Sequence, residues 1–158
     1  MKRSEYCTAQ YGWIKNSREV LLTYLEALKP GELEREFPSF SNGGSIRNLL
    51  VHIANVYQHW VGIIALHKEI SYAAYGDFKS IDAIRSLYYS IDELITELLK
   101  KETLTAHNIP FSLNNVQRTT SFFQIFSHAT THEFHHKGQV LTISRLMGYT
   151  PADTDIIH

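Results

Sequence analysis

Cysteine is nearly absent. The 158 residues hold only Cys7, so no intramolecular disulfide can form and the fold has to be held by its core. The opening Met1-Lys2-Arg3-Ser4-Glu5-Tyr6 lacks the apolar stretch of a secretory signal, and together these absences lead us to expect a reducing, cytoplasmic setting. An excess of one charge is missing too: fifteen basic against sixteen acidic residues leave a formal net charge of -1, so no global positive field draws the chain to phosphate backbones or anionic lipid. We therefore expect neither nucleic acid nor membrane as a partner. Long hydrophobic runs are also lacking, because the most apolar stretch, residues 48–66, is interrupted by His52, Asn55, Gln58 and His59, well short of the roughly 18 apolar residues of a spanning helix.

What remains is an ordinary globular composition, 44% hydrophobic and 20% charged, far from that of a disordered chain. A chain of this length buries roughly 70% of its unfolded surface and can sustain one core. No internal repeat, low-complexity tract or second domain breaks it, so residues 1–158 are expected to form a single domain.

Four segments carry a helical period. In the first, residues 4–28, Ile14, Leu21, Leu25 and Leu28 recur as one stripe that Lys29-Pro30-Gly31 should stop. A connection over 32–44 follows, with Phe37 and Phe40 as anchors and Asn42-Gly43-Gly44 as turn residues. Ser45 should cap a second helix reaching His67, with Ile46, Leu49, Leu50, Ile53, Val56, Tyr57, Trp60 and Ile64 at helical spacing. After a loop over 68–79, Ser80 should cap a third, whose stripe is Ile84, Leu87, Tyr88, Ile91, Leu94, Ile95 and Leu98. Residues 102–118 are polar and show no period, so they read as a long connection with short extended pieces around 109–111. Thr119, Thr120 or Ser121 opens a fourth helix to Met147, closed by Gly148 and Pro151. The expected fold class is all-α, a four-helix bundle, and the long connections permit a crossover.

The chemistry gathers in the fourth helix, where four of the nine histidines fall between His128 and His136. His128, His132 and His136 recur every fourth residue and share a face with Ile125, Ala129 and Ile143, while His135 points about 100° away from His136. A single histidine on an apolar stripe is more often a hydrogen-bonded core residue than a ligand. Two at i, i+4 shift that balance, because the spacing lets both imidazoles bind one metal ion. A third ligand should come from a facing helix: His52, among Leu49, Ile53 and Val56, leads, with His59 one heptad on as its rival.

The segments Ser45-Ile46-Arg47-Asn48-Leu49-Leu50-Val51-His52-Ile53-Ala54, His132-Glu133-Phe134-His135-His136-Lys137-Gly138-Gln139 and Leu146-Met147-Gly148-Tyr149-Thr150-Pro151, with Asp155 near the end, resemble the DinB or YfiT-like group of metal-dependent helical-bundle proteins. The likeness covers nearly the whole chain. It implies a three-histidine metal site formed by His52, His132 and His136, holding a divalent ion such as Zn or Ni. Lys137 stands where Arg is common in the group and, lying off the metal face, should be tolerated. The likeness also implies a small-molecule substrate, with a low-molecular-weight thiol attacking an electrophile, and favours a homodimer through helix one or three.

The remaining candidates have plainer readings. His128 is a nearby partner or an alternative ligand. His67, His107, His135 and His158 should face solvent or lie in loops, Cys7 is inert, and Trp60, Phe122, Phe123 and Phe126 are packing residues. Gly138 is expected to let a neighbouring helix approach closely. The run His132-Glu133-Phe134-His135-His136 also satisfies H-E-x-x-H, the zincin protease signature with Glu as base. Its extended forms fail, because Gln139 and Thr142 stand where a glycine and a third histidine are needed. A thiol chemistry would leave Glu133 dispensable, whereas a zincin would need it. Three protein ligands leave a coordination position open, the arrangement of catalytic rather than structural zinc. A metal-binding or stress-response module without turnover is the alternative function.

Overall fold

The computed structural model describes residues 3–40, 44–101 and 107–157. The four expected helices are α1 (Arg3–Leu25), α2 (Ile46–Tyr57), α3 (Ile81–Lys100) and α4 (Phe122–Leu146). Three start on side-chain caps: Ser45 accepts from the backbone N–H of Asn48 at 3.1 Å, Ser80 from Ala83 at 3.2 Å and Ser121 from Gln124 at 3.2 Å. α4 ends in a Schellman turn at Gly148 (φ 90°), whose N–H bonds the Arg145 carbonyl while that of Tyr149 bonds Ser144. α1 stops three residues before the expected Leu28, in turns that lead to Gly31 at φ 85°.

The second helix keeps its expected length but not one geometry. Beyond Tyr57 it continues as a π-helix over Gln58–Ala65, where the Leu66 N–H reaches back five residues to the Val61 carbonyl. Gly62 lies in this segment, and a Cβ there would stand 2.3 Å from Cδ1 of Ile70. The missing side chain lets the following loop seat against the helix. Asn55 pins the same loop, exchanging two hydrogen bonds with the backbone of Ala73 at 2.9 and 3.0 Å.

The helices pack around the core in the order α1, α3, α2, α4. α1 thus stands diagonally across from α2, and α3 from α4, so the connections α1→α2 and α3→α4 cross the bundle, the crossover that their length permits. In the first, Phe37 and Phe40 pack on the core as expected, and Gly44 (φ 60°) approaches the Phe37 backbone too closely for any Cβ. Asn42 and Gly43 lie outside the described residues. The stripes meet in one core of Ile14, Leu21, Leu25, Leu49, Ile53, Tyr57, Ile91, Ile95, Phe126 and Ile143, all buried.

The all-α expectation needs correction. Residues 107–121 form an antiparallel hairpin, β1 (His107–Leu113) and β2 (Val116–Ser121). Its two-residue turn, Asn114-Asn115, holds both residues at positive φ (52° and 61°), the backbone of a type I′ turn that matches the twist of paired strands. Asparagine tolerates this conformation better than other residues with a side chain. The turn pair was the available signal; without it, polar residues such as Gln117, Arg118 and Thr119 mask the strand. β1 lies on the π segment of the second helix, and β2 runs directly into α4.

Candidate metal centre

α2 and α4 face each other closely, and that pairing brings His52 to His132 and His136. One ligand nitrogen from each of the three lies within 4.8 Å of the others, with ring centroids 4.4 to 5.1 Å apart. The Nε2 atoms of His52 and His132 stand 3.0 Å apart. Two lone pairs do not face each other at that distance unless a proton or a cation lies between them. Nitrogens on a tetrahedral zinc are about 3.3 Å apart, so the group needs only small shifts to close on an ion. Among the described residues no further His, Cys, Asp or Glu joins it.

The protonation states also suit a metal, which needs neutral imidazoles. Burial, reinforced by the neighbouring imidazoles of His136 and His52, pushes His132 down to about 4. His52 is lowered by burial and by His136, and His136 by burial against the opposing pull of Gln139. Gln139 adds an orienting contact: the Nδ1–H of His136 donates to Oε1 of Gln139 at 2.7 Å, which leaves Nε2 of the ring as the free lone pair. The family pattern contained this glutamine, but its hydrogen bond could not be read from spacing.

The other histidines stay outside the group. His59 is half-buried with Nδ1 on the Tyr72 hydroxyl at 2.7 Å, so the rivalry with His52 is settled in favour of His52 as the residue beside the α4 pair. His128 is exposed, its ring 5.7 Å from that of His132 and 5.2 Å from Trp60. His135 is exposed and His67 lies in the loop at φ 55°, both as expected. The side chain of His107 and all of His158 lie outside the described residues. Of the aromatics, Phe122 and Phe126 are buried as expected, whereas Phe123 is exposed. Cys7 is buried in the core.

Glu133, next to His132 in sequence, points into the core. Its carboxylate accepts from Arg18 Nε at 2.7 Å and Nη2 at 2.9 Å and from the Tyr57 hydroxyl at 2.7 Å, and all three residues are buried. Arg18 also donates to Asp92 at 2.9 Å and lies over the Tyr88 ring. Burial works against the Arg18 charge, but the Glu133 carboxylate together with Tyr11 and Tyr57 outweighs it and the guanidinium stays protonated. Burial and the same carboxylate raise the Tyr57 hydroxyl far above its ordinary range, so it remains a donor. Both carboxylate oxygens are thus engaged by buried donors. The H-E-x-x-H match does not build a zincin site, and Glu133 is a structural anchor rather than a dispensable residue. Arg18, a charge on the apolar stripe of α1 four residues after Ile14 and three before Leu21, was the sequence signal for this network.

Two further expectations change. Lys137 is off the metal face, but it is buried, donates to the Ser17 hydroxyl and to the Thr154 carbonyl at 3.2 Å, and lies 3.5 Å from the Phe134 ring centre. It clamps the C-terminal segment onto α1. Gly138 is exposed, and a Cβ there would meet open space, so no helix approaches it; Gly62 has the close contact instead.

A family model described as the DinB family matches residues 1–158, the whole chain. The chain belongs to the DinB family. No curated protein matches it. Membership agrees with the bundle and with the three-histidine group in the positions that the motif implied, and no helix among the described residues is long and apolar enough to cross a membrane.

Proposed function

We propose that this DinB-family protein holds one divalent metal ion, Zn or Ni, on His52, His132 and His136 and uses the site to transfer a small-molecule thiol to an electrophile. The observation that carries the reading is the convergence of three neutral imidazoles with no fourth protein ligand among the described residues. A divalent ion held there supplies positive charge that keeps a thiol deprotonated near neutral pH. The protein's own contribution is positional. α2 and α4 fix the three rings, Gln139 fixes the tautomer of His136, and the Arg18–Glu133–Tyr57 network locks α4 against α1 and α2. In the reaction the thiol proton passes to solvent, the sulfur bonds to the electrophilic carbon, and the leaving group departs with its electron pair.

The engagement of Glu133 favours this over hydrolysis, which would need a free base beside the ion. A cavity of about 470 Å³ opens between the end of α1 and the start of α3, but no histidine lines it. The ligands are bordered instead by His128, His135 and Trp60. A homodimer fits the family likeness.

Metal-loaded protein supplied with glutathione, bacillithiol or mycothiol and monochlorobimane should form conjugate above the uncatalysed rate, with loss of the excess in His132→Ala. Background rates with all three thiols, together with an unchanged spectrum of the cobalt-substituted protein on adding thiol, would leave a metal-binding module without turnover as the correct reading.

A further inference from the structure

The hairpin supplies no ligand, yet one of its faces continues the surface around the histidines. Cross-strand partners share a face, and the pairs Ile109–Thr120, Phe111–Arg118 and Leu113–Val116 alternate with the outward pairs Pro110–Thr119 and Ser112–Gln117. The first inner pair is buried in the bundle. Phe111 stands edge-on to Trp60 at 5.2 Å, Trp60 to His128 at 5.2 Å, and His128 lies 5.7 Å from the ligand His132. Beyond Phe111 the helices give out: Leu113 and Val116 are 44% and 51% exposed. The ring surface therefore runs unbroken from the metal ligands to an apolar overhang.

Arg118, opposite Phe111, is the only charge on that face, is exposed, and has no ion-pair partner among the described residues. A surface of stacked rings and aliphatic side chains around a single unpaired guanidinium is complementary to a planar apolar group bearing one acid. We propose that the inner face of the hairpin, with Trp60, binds an aromatic organic anion, its acid on Arg118 and its ring against Phe111, Leu113 and Val116. A molecule bound there lies at the outer end of the ring path, separated from His132 by Trp60 and His128, so its binding does not depend on the function proposed above.

Binding can be measured without metal or thiol. Trp13 and Trp60 are the chain's only tryptophans, so Trp13→Phe leaves Trp60 as the sole indole reporter. In this metal-free protein para-nitrobenzoate should quench Trp60 emission saturably. The neutral para-nitrobenzamide should bind roughly threefold to fivefold more weakly, and Arg118→Gln should weaken the acid by the same factor. Leu113→Ser should weaken both probes, and glutathione, anionic but without a ring, should not quench. Leu113 and Arg118 are exposed, so unchanged thermal melts should accompany these losses. Non-saturating quenching, equal affinity for acid and amide, indifference to Arg118→Gln, or quenching by glutathione equal to that by the acid would overturn the proposal. Since neither ion nor thiol is present, such a failure leaves the transfer reading to its own test, and absence of transfer leaves this binding untouched.

Discussion

Arg18 on α1 holds Glu133 on α4 through two bonds, Nε to Oε1 at 2.7 Å and Nη2 to Oε2 at 2.9 Å, both residues buried. The contact joins the first and last helices, and it lies one residue from His132. Consecutive residues on α4 diverge by about 100°, so His132 reaches the α2 histidine while Glu133 reaches into the core. The same helix carries the histidine pair on one face and this anchor on another.

Breaking this pair should be costly, because removing one partner strands a buried charge. Arg18→Met should destabilise the fold by about 3–5 kcal/mol, read as a lowered urea midpoint at unchanged slope. Glu133→Gln should cost a similar amount. The double variant should recover a substantial part of the loss, since both charges are then gone. Strict additivity of the two single changes would show that the pair is not coupled.

Metal stoichiometry tests the ligand set directly. His52→Ala, His132→Ala and His136→Ala should each abolish stoichiometric binding by elemental analysis, whereas His59→Ala and His135→Ala should retain it. Full retention in His132→Ala would refute the assignment.

The difference between the faces of α4 also explains what was legible beforehand. The helices, their serine caps and the Gly148 stop follow from local periodicity and capping, and the histidine group follows from i, i+4 spacing on an inward face joined to the family motif. The π turn after Tyr57 does not, since a helical stripe reads the same until the hydrogen bonds are seen. The first strand was legible in part, since Ile109, Phe111 and Leu113 alternate and extended pieces are expected around 109–111, whereas the second hid because Val116 is its one apolar residue. Arg18–Glu133 and Lys137–Thr154 are pairings between residues over a hundred and only seventeen positions apart, respectively, fixed by packing rather than by local sequence.

Gln139 offers a finer test. Gln139→Ala leaves the three ligands in place but frees the His136 tautomer, and loss of such an orienting hydrogen bond typically costs about 10–100-fold in metal affinity. Competition against a chromophoric chelator should show that loss with unchanged stoichiometry, and Gln139→Glu, which still accepts from Nδ1, should restore most of the affinity. An unchanged affinity in Gln139→Ala would reduce the contact to a surface hydrogen bond.

Acid and chelation should act on the fold in the same direction. His132 falls to about 4 in the folded protein, chiefly through burial, against 6.5 for the free side chain, and His52 and His136 are lowered in the same sense. Between those values the unfolded chain binds more protons than the folded one, so stability rises with pH across the window and is lost on acidification. Above about pH 7.5 the three are neutral in both states and contribute almost no slope. A bound ion adds to the effect, because it requires neutral imidazoles and stabilises only the folded state. Thermal melts should therefore show the metal-loaded protein above the chelated one at pH 7, with the gap closing as pH falls below about 6. The chelated protein should stay helical by circular dichroism, since the core of Ile14, Leu25, Ile53, Ile91 and Phe126 is built without the histidines. Outright unfolding on chelation at pH 7 would make the site structural and would undercut a reactive role for its open position.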